Sequence, residues 1–450
     1  MIGIVVSRAD EASAHVGERL LDLVEWETFE DPDRPDGEGG GTCYRREGFE
    51  LREFDDLHLY LEEAADAFGR TDDGDVRGGP DLDFVVFVSR HSGETGPLLS
   101  AHFTGNVGPA EYGGRPNELA LACPNALAEV LGSLARRAPE GYDVAMECTH
   151  HGPTAVGAPS MFVEVGSAEP QWHDPEAAGA VARAVLDIEG VPADRERTVV
   201  GFGGGHYAPR FSRIVRETDW AVGHVLADWS LDAVDELPAA VLDAAFERSG
   251  ATRAVIDGDR PGLVAAVEGR GYRVVSETWL RETGGVPLDL VEGAESALCP
   301  VEEGLRFGDE RAETLTVVSL NPDLVGAALA ADAGATRRAF ARHAVAYVTE
   351  ERGNRPTGRV GLPDEAALDP LVDALASVLV EGGADVVRDG DELVVIESSF
   401  DPEKAGVLGV PEGPAFGRLA AGEPVEVRGE TVTPESVHTT HETRYPIRAE

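Results

Sequence analysis

The chain has 450 residues, 42% of them hydrophobic, and a formal net charge of −45 at pH 7. That length allows two or three domains with cores of their own, and no apolar run approaches the roughly 18–20 residues that a membrane span needs. So acidic a surface repels itself in dilute buffer but is screened in molar salt, where the Debye length falls to about 3 Å, so the composition points to a salt-filled cytoplasm and a halophilic source.

In chain order, the opening Met1 to Ser7 lacks a basic segment and a long apolar run, so it reads as a first strand rather than a signal peptide. Candidate strands are Ile2 to Ser7, Asp83 to Ser89, Asp143 to Cys148, Met161 to Val165, Thr198 to Phe202 and Ala221 to Leu226. Between them lie amphipathic stretches at Asn117 to Arg137, Pro175 to Ile188 and Leu231 to Ser249. Asp31 to Gly41 and Thr71 to Pro80 read as mobile acidic loops. This alternation predicts an α/β fold with a mostly parallel sheet flanked by helices. A division near residue 274 separates it from a smaller α+β region at 275–450. There, Gly284 to Gly308 reads as irregular, Thr314 to Ser319 as a strand, Pro322 to Val348 and Leu371 to Val380 as helices, and Ala384 to Glu397 as a hairpin. The tail from Phe400 to Val437 is rich in turn residues.

Composition also excludes some chemistry. Lys404 is the one lysine among 38 basic residues. There is no GxxxxGK[ST] loop, and a Schiff-base enzyme would have to use that lysine. The four cysteines, Cys43, Cys123, Cys148 and Cys299, form no CxxC, which argues against disulfides and a cysteine zinc cage.

Ligands in open α/β sheets bind beyond the carboxyl ends of strands, and three predicted strands run into clusters of histidine, glycine and acid. These are Ser89-Arg90-His91-Ser92-Gly93-Glu94 with His102 to Asn106, Glu147 to Pro153, and Gly203 to Arg210. Five of the twelve histidines, His91, His102, His150, His151 and His206, fall there. Histidine with carboxylate is the ligand set of a hydrolytic zinc site, in which one position is left for water and the water pKa drops to about 7. His91, His102, His150 and Glu164 are the candidate ligands, for one zinc ion or two. Glu147, His151 and His206 are the candidates for moving protons. The alternative is a set of histidines that only hydrogen-bond loop backbone. Gly204 and Gly205 offer N–H groups to an oxyanion, or merely make a tight turn. Arg90, Glu94, Thr104, Asn106 and Tyr207 flank the clusters as substrate contacts. Arg210, Arg213 and Arg216 share one side of a predicted helix, suited to phosphates or to pairing with acids such as Glu217. Covalent catalysis by Ser89, Ser92 or Cys148 is the lesser reading, because no GxSxG elbow exists and Cys148 ends a buried-looking strand.

The blocks SRHSGE, HFTGN, ECTHHGPT and GFGGGHYAPRF, in this order, resemble the signature of the archaeal D-aminoacyl-tRNA deacylases across roughly residues 1–270. The resemblance implies hydrolysis of the ester between a D-amino acid and the tRNA terminal ribose, zinc dependence, and a fold akin to peptidyl-tRNA hydrolases and nucleoside phosphorylases. It also implies tRNA carrying a D-amino acid as the partner of a cytoplasmic monomer. The run LGVPEGPAFGRL in the extension is similar to a segment of tRNA 3′-processing metallo-hydrolases. The rival readings are a peptidyl-tRNA hydrolase or nucleoside phosphorylase on the same fold, and a tRNA-binding protein without catalysis.

Overall fold

The alternating pattern folds into two units, Met1–Gly284 and Gly285–Glu450. The structure, a computed structural model, describes residues 1–69, 82–234 and 237–449, so Thr71 to Pro80 lies outside the described residues. Among these residues no helix is long and apolar enough to cross a membrane.

The first unit holds two sheets. The larger contains β1 (Ile2–Ser7), β2 (Glu27–Asp31), β3 (Gly41–Arg46), β4 (Phe49–Phe54), β5 (Phe84–Arg90), β6 (Leu98–His102), β7 (Asp143–Met146) and β8 (Ser160–Gly166), in the order β2-β3-β4-β1-β5-β8-β6-β7. Its centre, β4-β1-β5-β8, is parallel. IGIVVS and FVVFVSR are buried almost throughout, as strands covered on both faces must be. The smaller sheet is wholly parallel: β9 (Thr198–Phe202), β10 (Ala221–Leu226), β11 (Arg253–Ile256) and β12 (Arg273–Val274), ordered β10-β9-β11-β12.

Its helices include, in order, α1 (Glu11–Leu23), α2 (Pro124–Arg137), α3 (Glu169–Trp172), α4 (Pro175–Leu186), α5 (Pro209–Glu217), α6 (Asp228–Asp232) and α7 (Ala239–Glu247). Helix α1 starts where the Asp10 carboxylate accepts the Ser13 N–H, and buries Ala12, Val16 and Leu20 at four-residue spacing. It packs on β1 and β5, α4 on β8, and α2 on β6 and β7. Helix α2 also touches β10 and so joins the two sheets.

Several expected elements take a different form. The large sheet is mostly parallel, as expected, but β6 runs antiparallel to β8, and β2, β3 and β4 are antiparallel neighbours. Asp31 to Gly41 is not a free loop. Asp31 ends β2, Gly41 begins β3, and Gly39 and Gly40 are buried. The segment is pinned by Arg52, fully buried, which donates to Asp31 at 2.7 Å, to Glu50 at 2.6 Å and to the Gly39 carbonyl at 2.7 Å. The helix expected from Asn117 begins only at Pro124, a residue preorganised for the first helical position. The one expected over Leu231 to Ser249 is broken before Pro238 into α6 and α7.

In the second unit, Gly284 to Gly308 is not irregular throughout, since Leu288–Ala297 is helical. Pro322 to Val348 divides at Asp332, whose carboxylate caps a second helix, Ala333–His343; the chain then enters strand Ala346–Glu350. That strand belongs to an antiparallel four-stranded sheet, while Asp385–Asp389 and Glu392–Phe400 form a hairpin extended by His438–Pro446. The unit is α+β.

Two buried imidazoles couple this fold to pH. His224 in β10 donates from Nε2 to the Ala120 carbonyl at 2.9 Å and lies 3.0 Å from the Thr149 hydroxyl at Nδ1. Burial lowers its pKa to about 4, and that of His58 to about 3. An unfolded chain protonates both near pH 6.5, whereas the folded one refuses the proton until those lower values. The unfolded state therefore binds more protons in between, and stability falls with the pH. In denaturant titrations at constant molar salt, the unfolding midpoint is expected to decline steadily from pH 6.5 to 5.5. A flat profile there would contradict the buried, neutral assignment.

Candidate active site

Loops from both sheets of the first unit meet at one cavity of about 820 Å³. His91 follows β5, His102 ends β6, Glu147 to His151 follow β7, Glu164 lies in β8, and His206 follows β9. Because β6 is antiparallel to β8, His102 pairs with Phe162 inside the sheet rather than beyond the rim. The imidazoles therefore occupy the seam between the sheets. A broader surface hollow near Leu21 to Glu27 and Arg45 to Glu47 has no histidine and is rimmed by solvated charges.

His102, His150 and His206 come together, with ring centres 4.3 Å apart for the first pair and 4.6 Å for the second. Three imidazoles are oriented alike. Nδ1 of His102 lies 3.1 Å from the Phe103 carbonyl, Nδ1 of His150 2.8 Å from that of Cys148, and Nδ1 of His151 2.7 Å from that of Gly152. A carbonyl can only accept, so each Nδ1 carries the proton and each Nε2 is left with a bare lone pair. His91 follows the same rule: its Nδ1 lies 3.0 Å from Ser167 Oγ, whose proton is committed to the Gly96 carbonyl at 2.8 Å. These rings thus bond their loops and still leave a second ring nitrogen that could ligate a metal.

The anionic centre is Glu147, fully buried. Its Oε2 lies 2.7 Å from His206 Nε2, 3.8 Å from His91 Nε2 and 4.0 Å from His150 Nε2. Burial alone would raise its pKa, but the His206 hydrogen bond and the surrounding imidazoles hold it well below the usual carboxylate range. His206 is raised to about 10 by the Cys148 sulfur, 3.7 Å from Nδ1, and by Glu147. Burial, aided by neighbouring imidazoles, pushes His150 well below the ordinary histidine range and His151 to about 3. His102 is also buried, yet Glu164, 3.6 Å away, and Glu147 raise it. The site thus holds a carboxylate and an imidazolium beside two neutral imidazoles.

Local backbone serves this arrangement. His151 sits at φ +42°, a left-handed conformation unusual outside glycine. Gly152 lies so close to the neighbouring loop that a Cβ would run into the backbone of Gly113 and Gly114. Thr104 fastens the segment by donating to the Pro153 carbonyl at 2.6 Å.

A divalent ion is chemically compatible with this set. His102, His150 and His151 form one group with mutually close ligand atoms, and His91, Glu147 and His206 a second; Cys148, His150 and His206 are a third combination. His102 Nε2 and Glu147 Oε1 are buried without a hydrogen-bond partner, which is costly unless something else satisfies them. Nitrogen and carboxylate donors suit zinc.

The other expected residues scatter more widely. Arg90 lines the cavity, its guanidinium 5.1 Å from the Trp172 ring. Tyr207 OH lies 3.3 Å from His91 Nε2. Asn106 also lines the cavity, its amide holding the Gly113 and Arg115 carbonyls. Glu94 is exposed and, like Gly204 and Gly205, does not contribute to the wall. Glu164 accepts from Ser89 at 2.7 Å, which removes that hydroxyl as a free nucleophile. Arg213, though exposed, is paired with Glu277 at 2.7 Å and Arg210 with Asp257 at 3.1 Å, so two of the three stripe residues already have acidic partners; among the described residues no ion pair is seen for Arg216.

Sequence reasoning missed Tyr112 and Trp229 in the cavity wall, and Ser167 behind His91. Trp229 lies three residues past the end of β10, so the strand-end rule that found the histidines would have reached it.

A family model described as D-aminoacyl-tRNA deacylase matches residues 78–275. The chain is 54% identical to a D-aminoacyl-tRNA deacylase of Halorubrum lacusprofundi over 99% of this chain and 97% of that one. It is 51% identical to the protein of the same name from Haloarcula marismortui, over 99% and 100%. A relative from Methanoculleus marisnigri, again so named, is 36% identical over 82% and 85%. A crystal structure of a conserved protein of unknown function superposes with a TM-score of 0.55 at 29% identity, covering 63% of this chain and 98% of that one.

The imidazole cluster makes a prediction independent of any reaction. The purified protein is expected to retain zinc through gel filtration in molar salt, and His102→Ala to lose at least half of it while still eluting as the wild type does. Metal analysis showing equal zinc in both proteins would remove His102 from the ligand set.

Proposed function

The chain belongs to the D-aminoacyl-tRNA deacylase family, and from that premise we propose that it hydrolyses the ester joining a D-amino acid to the terminal ribose of tRNA in the cytoplasm of a halophile. The observation that carries this reading is the convergence of the His91, His150 and His206 ring nitrogens on the buried Glu147 carboxylate, beside a cavity large enough for a drug-sized ligand.

His102, His150 and His151 would hold a first zinc ion, and His91 with Glu147 would contribute to a second. Bound there, zinc would acidify a water molecule and polarise the ester carbonyl. His151 is thereby reassigned from proton carrier to ligand, and Glu164 to the position of an acceptor that orients Ser89 and faces His102. His206, raised to about 10 and hydrogen-bonded to Glu147, is suited to hold a proton and to deliver it to the departing ribose oxygen. Tyr207 and Arg90 line or border the cavity where the aminoacyl group would lie, and the shape of that wall would read chirality. Gly203 and Gly204, at φ +89° and +80°, turn the chain sharply so that His206 reaches Glu147; we assign this loop to positioning. All of these residues lie within 1–274, which we take as the catalytic region in a fold akin to peptidyl-tRNA hydrolases and nucleoside phosphorylases. We take 275–450 as an accessory region.

The sequence Cys148, His206, Glu147 has the order of a nucleophile, a base and its orienting acid. Cys148, however, is fully buried, and its sulfur could meet a substrate only after the wall opened. Cys148→Ala is therefore expected to keep activity within about an order of magnitude. Loss comparable to that of His150→Ala, expected to be several orders of magnitude, would instead favour a thiol route.

The direct assay compares D- and L-tyrosyl-tRNA in molar salt, with and without a chelator. Release of tyrosine from the D form alone, abolished by chelation and restored by zinc, is the expected result. Equal turnover of both enantiomers, or of neither, would defeat the proposal.

A further inference from the structure

Among the described residues three aromatic side chains are strongly exposed, Tyr60, Tyr112 and Trp229, and the last two line the cavity that holds the imidazoles. Tyr112 is 66% exposed and Trp229 51%. Large rings left in water at the mouth of a cleft commonly mark a binding surface. Both rings stand on backbone that also carries the reaction centre. The Tyr112 carbonyl accepts the Gly152 N–H at 2.9 Å, next to His151. Trp229 lies in α6, whose Asp228 N–H donates to the Gly204 carbonyl at 3.0 Å, two residues before His206. Neighbouring apolar groups, Val107 and Pro109, continue the wall at Tyr112.

Electrostatics narrow what these rings would hold. A polynucleotide ordinarily binds through phosphate contacts that release counterions, a term that fades as salt rises. This chain carries a net charge of −45, and Arg210 and Arg213 are already paired with Asp257 and Glu277. Stacking on an aromatic face depends little on ionic strength and accepts any unpaired base.

We propose that Tyr112 and Trp229 are stacking platforms for the unpaired 3′-terminal nucleotides of tRNA, placing the terminal ribose against the Glu147 cluster. The inference rests on the tRNA reading given above and deepens it. The rings bind and position; they take no part in bond making.

The test measures kcat and KM for D-tyrosyl-tRNA in molar salt with Trp229→Ala, Tyr112→Ala and Trp229→Phe. In parallel it measures equilibrium binding of the uncharged RNA trinucleotide cytidine-cytidine-adenosine to each protein. Each alanine variant is expected to raise KM and weaken trinucleotide binding by about tenfold or more, with kcat within about twofold. Trp229→Phe should retain most of the binding, which a fold defect would not. Unchanged KM together with unchanged trinucleotide binding overturns the proposal. So does a raised KM for D-tyrosyl-tRNA that leaves trinucleotide binding intact, because it would place the rings around the aminoacyl group instead. Should the wild-type protein release no D-amino acid yet bind the trinucleotide in a Trp229-dependent manner, the stacking site stands and the deacylase reading falls.

Discussion

A buried carboxylate surrounded by imidazoles organises the first unit. Glu147 is withdrawn from water at the seam of two sheets, and a lone anion there would be too costly to keep. His206, arriving from the smaller sheet, supplies the hydrogen bond that makes it tenable, so the ion pair also ties one sheet to the other. The remaining imidazoles divide their two nitrogens between duties. Nδ1 bonds the loop and fixes ring orientation, and Nε2 faces the common space. In metal proteins it is that outer hydrogen bond which sets tautomer and aim. Here the anchoring acceptors are mainly backbone carbonyls of the same loops, so orientation is encoded locally, within one or two residues of each histidine.

That locality explains why much of the site was legible in the sequence. His91, His150, His151 and His206 lie just past apolar runs, and their grouping follows from where strands end. His102 was harder. It reads as part of the loop cluster beyond Asp83 to Ser89, whereas it ends a strand of its own, β6, which runs antiparallel beside β8 and puts His102 opposite Phe162. Strand direction depends on how a connection closes, which short apolar runs do not report. Other misses share this cause. Arg52 pins the Asp31 to Gly41 segment through partners on β2 and β4, and Arg210 and Arg213 are neutralised by Asp257 and Glu277, far away in sequence. A composition of alternating acids and glycines reads as loop, and a stripe of arginines as a basic face, until those partners are in place. Pro124 and Pro238 were visible breakers, and helix ends placed without them ran too long.

The acidic composition shapes what the site can use. Dense surface carboxylates keep such a chain dispersed in brine, yet they deprive it of the long-range attraction by which most proteins find nucleic acid. Many arginines here pair with neighbouring acids: Arg281 with Glu217, Arg260 with Asp228, Arg444 with Asp389. Exposed pairs of this kind contribute little to stability.

Recognition in that setting must come from contacts that salt does not weaken, and the cavity is built mostly of such contacts. Phe162 stacks on the His102 ring at 5.3 Å, Leu57 and Leu59 line one side, and Tyr112 and Trp229 stand at the opening. Apolar burial strengthens in salting-out conditions. Glu147 is sealed from solvent, where screening by mobile ions is least effective, although Arg90 and Glu111 also line the cavity. High salt therefore separates two tasks that a neutral protein could combine. On the proposed reading, Glu147 works where water is excluded, and the Tyr112 and Trp229 rings work where it is not.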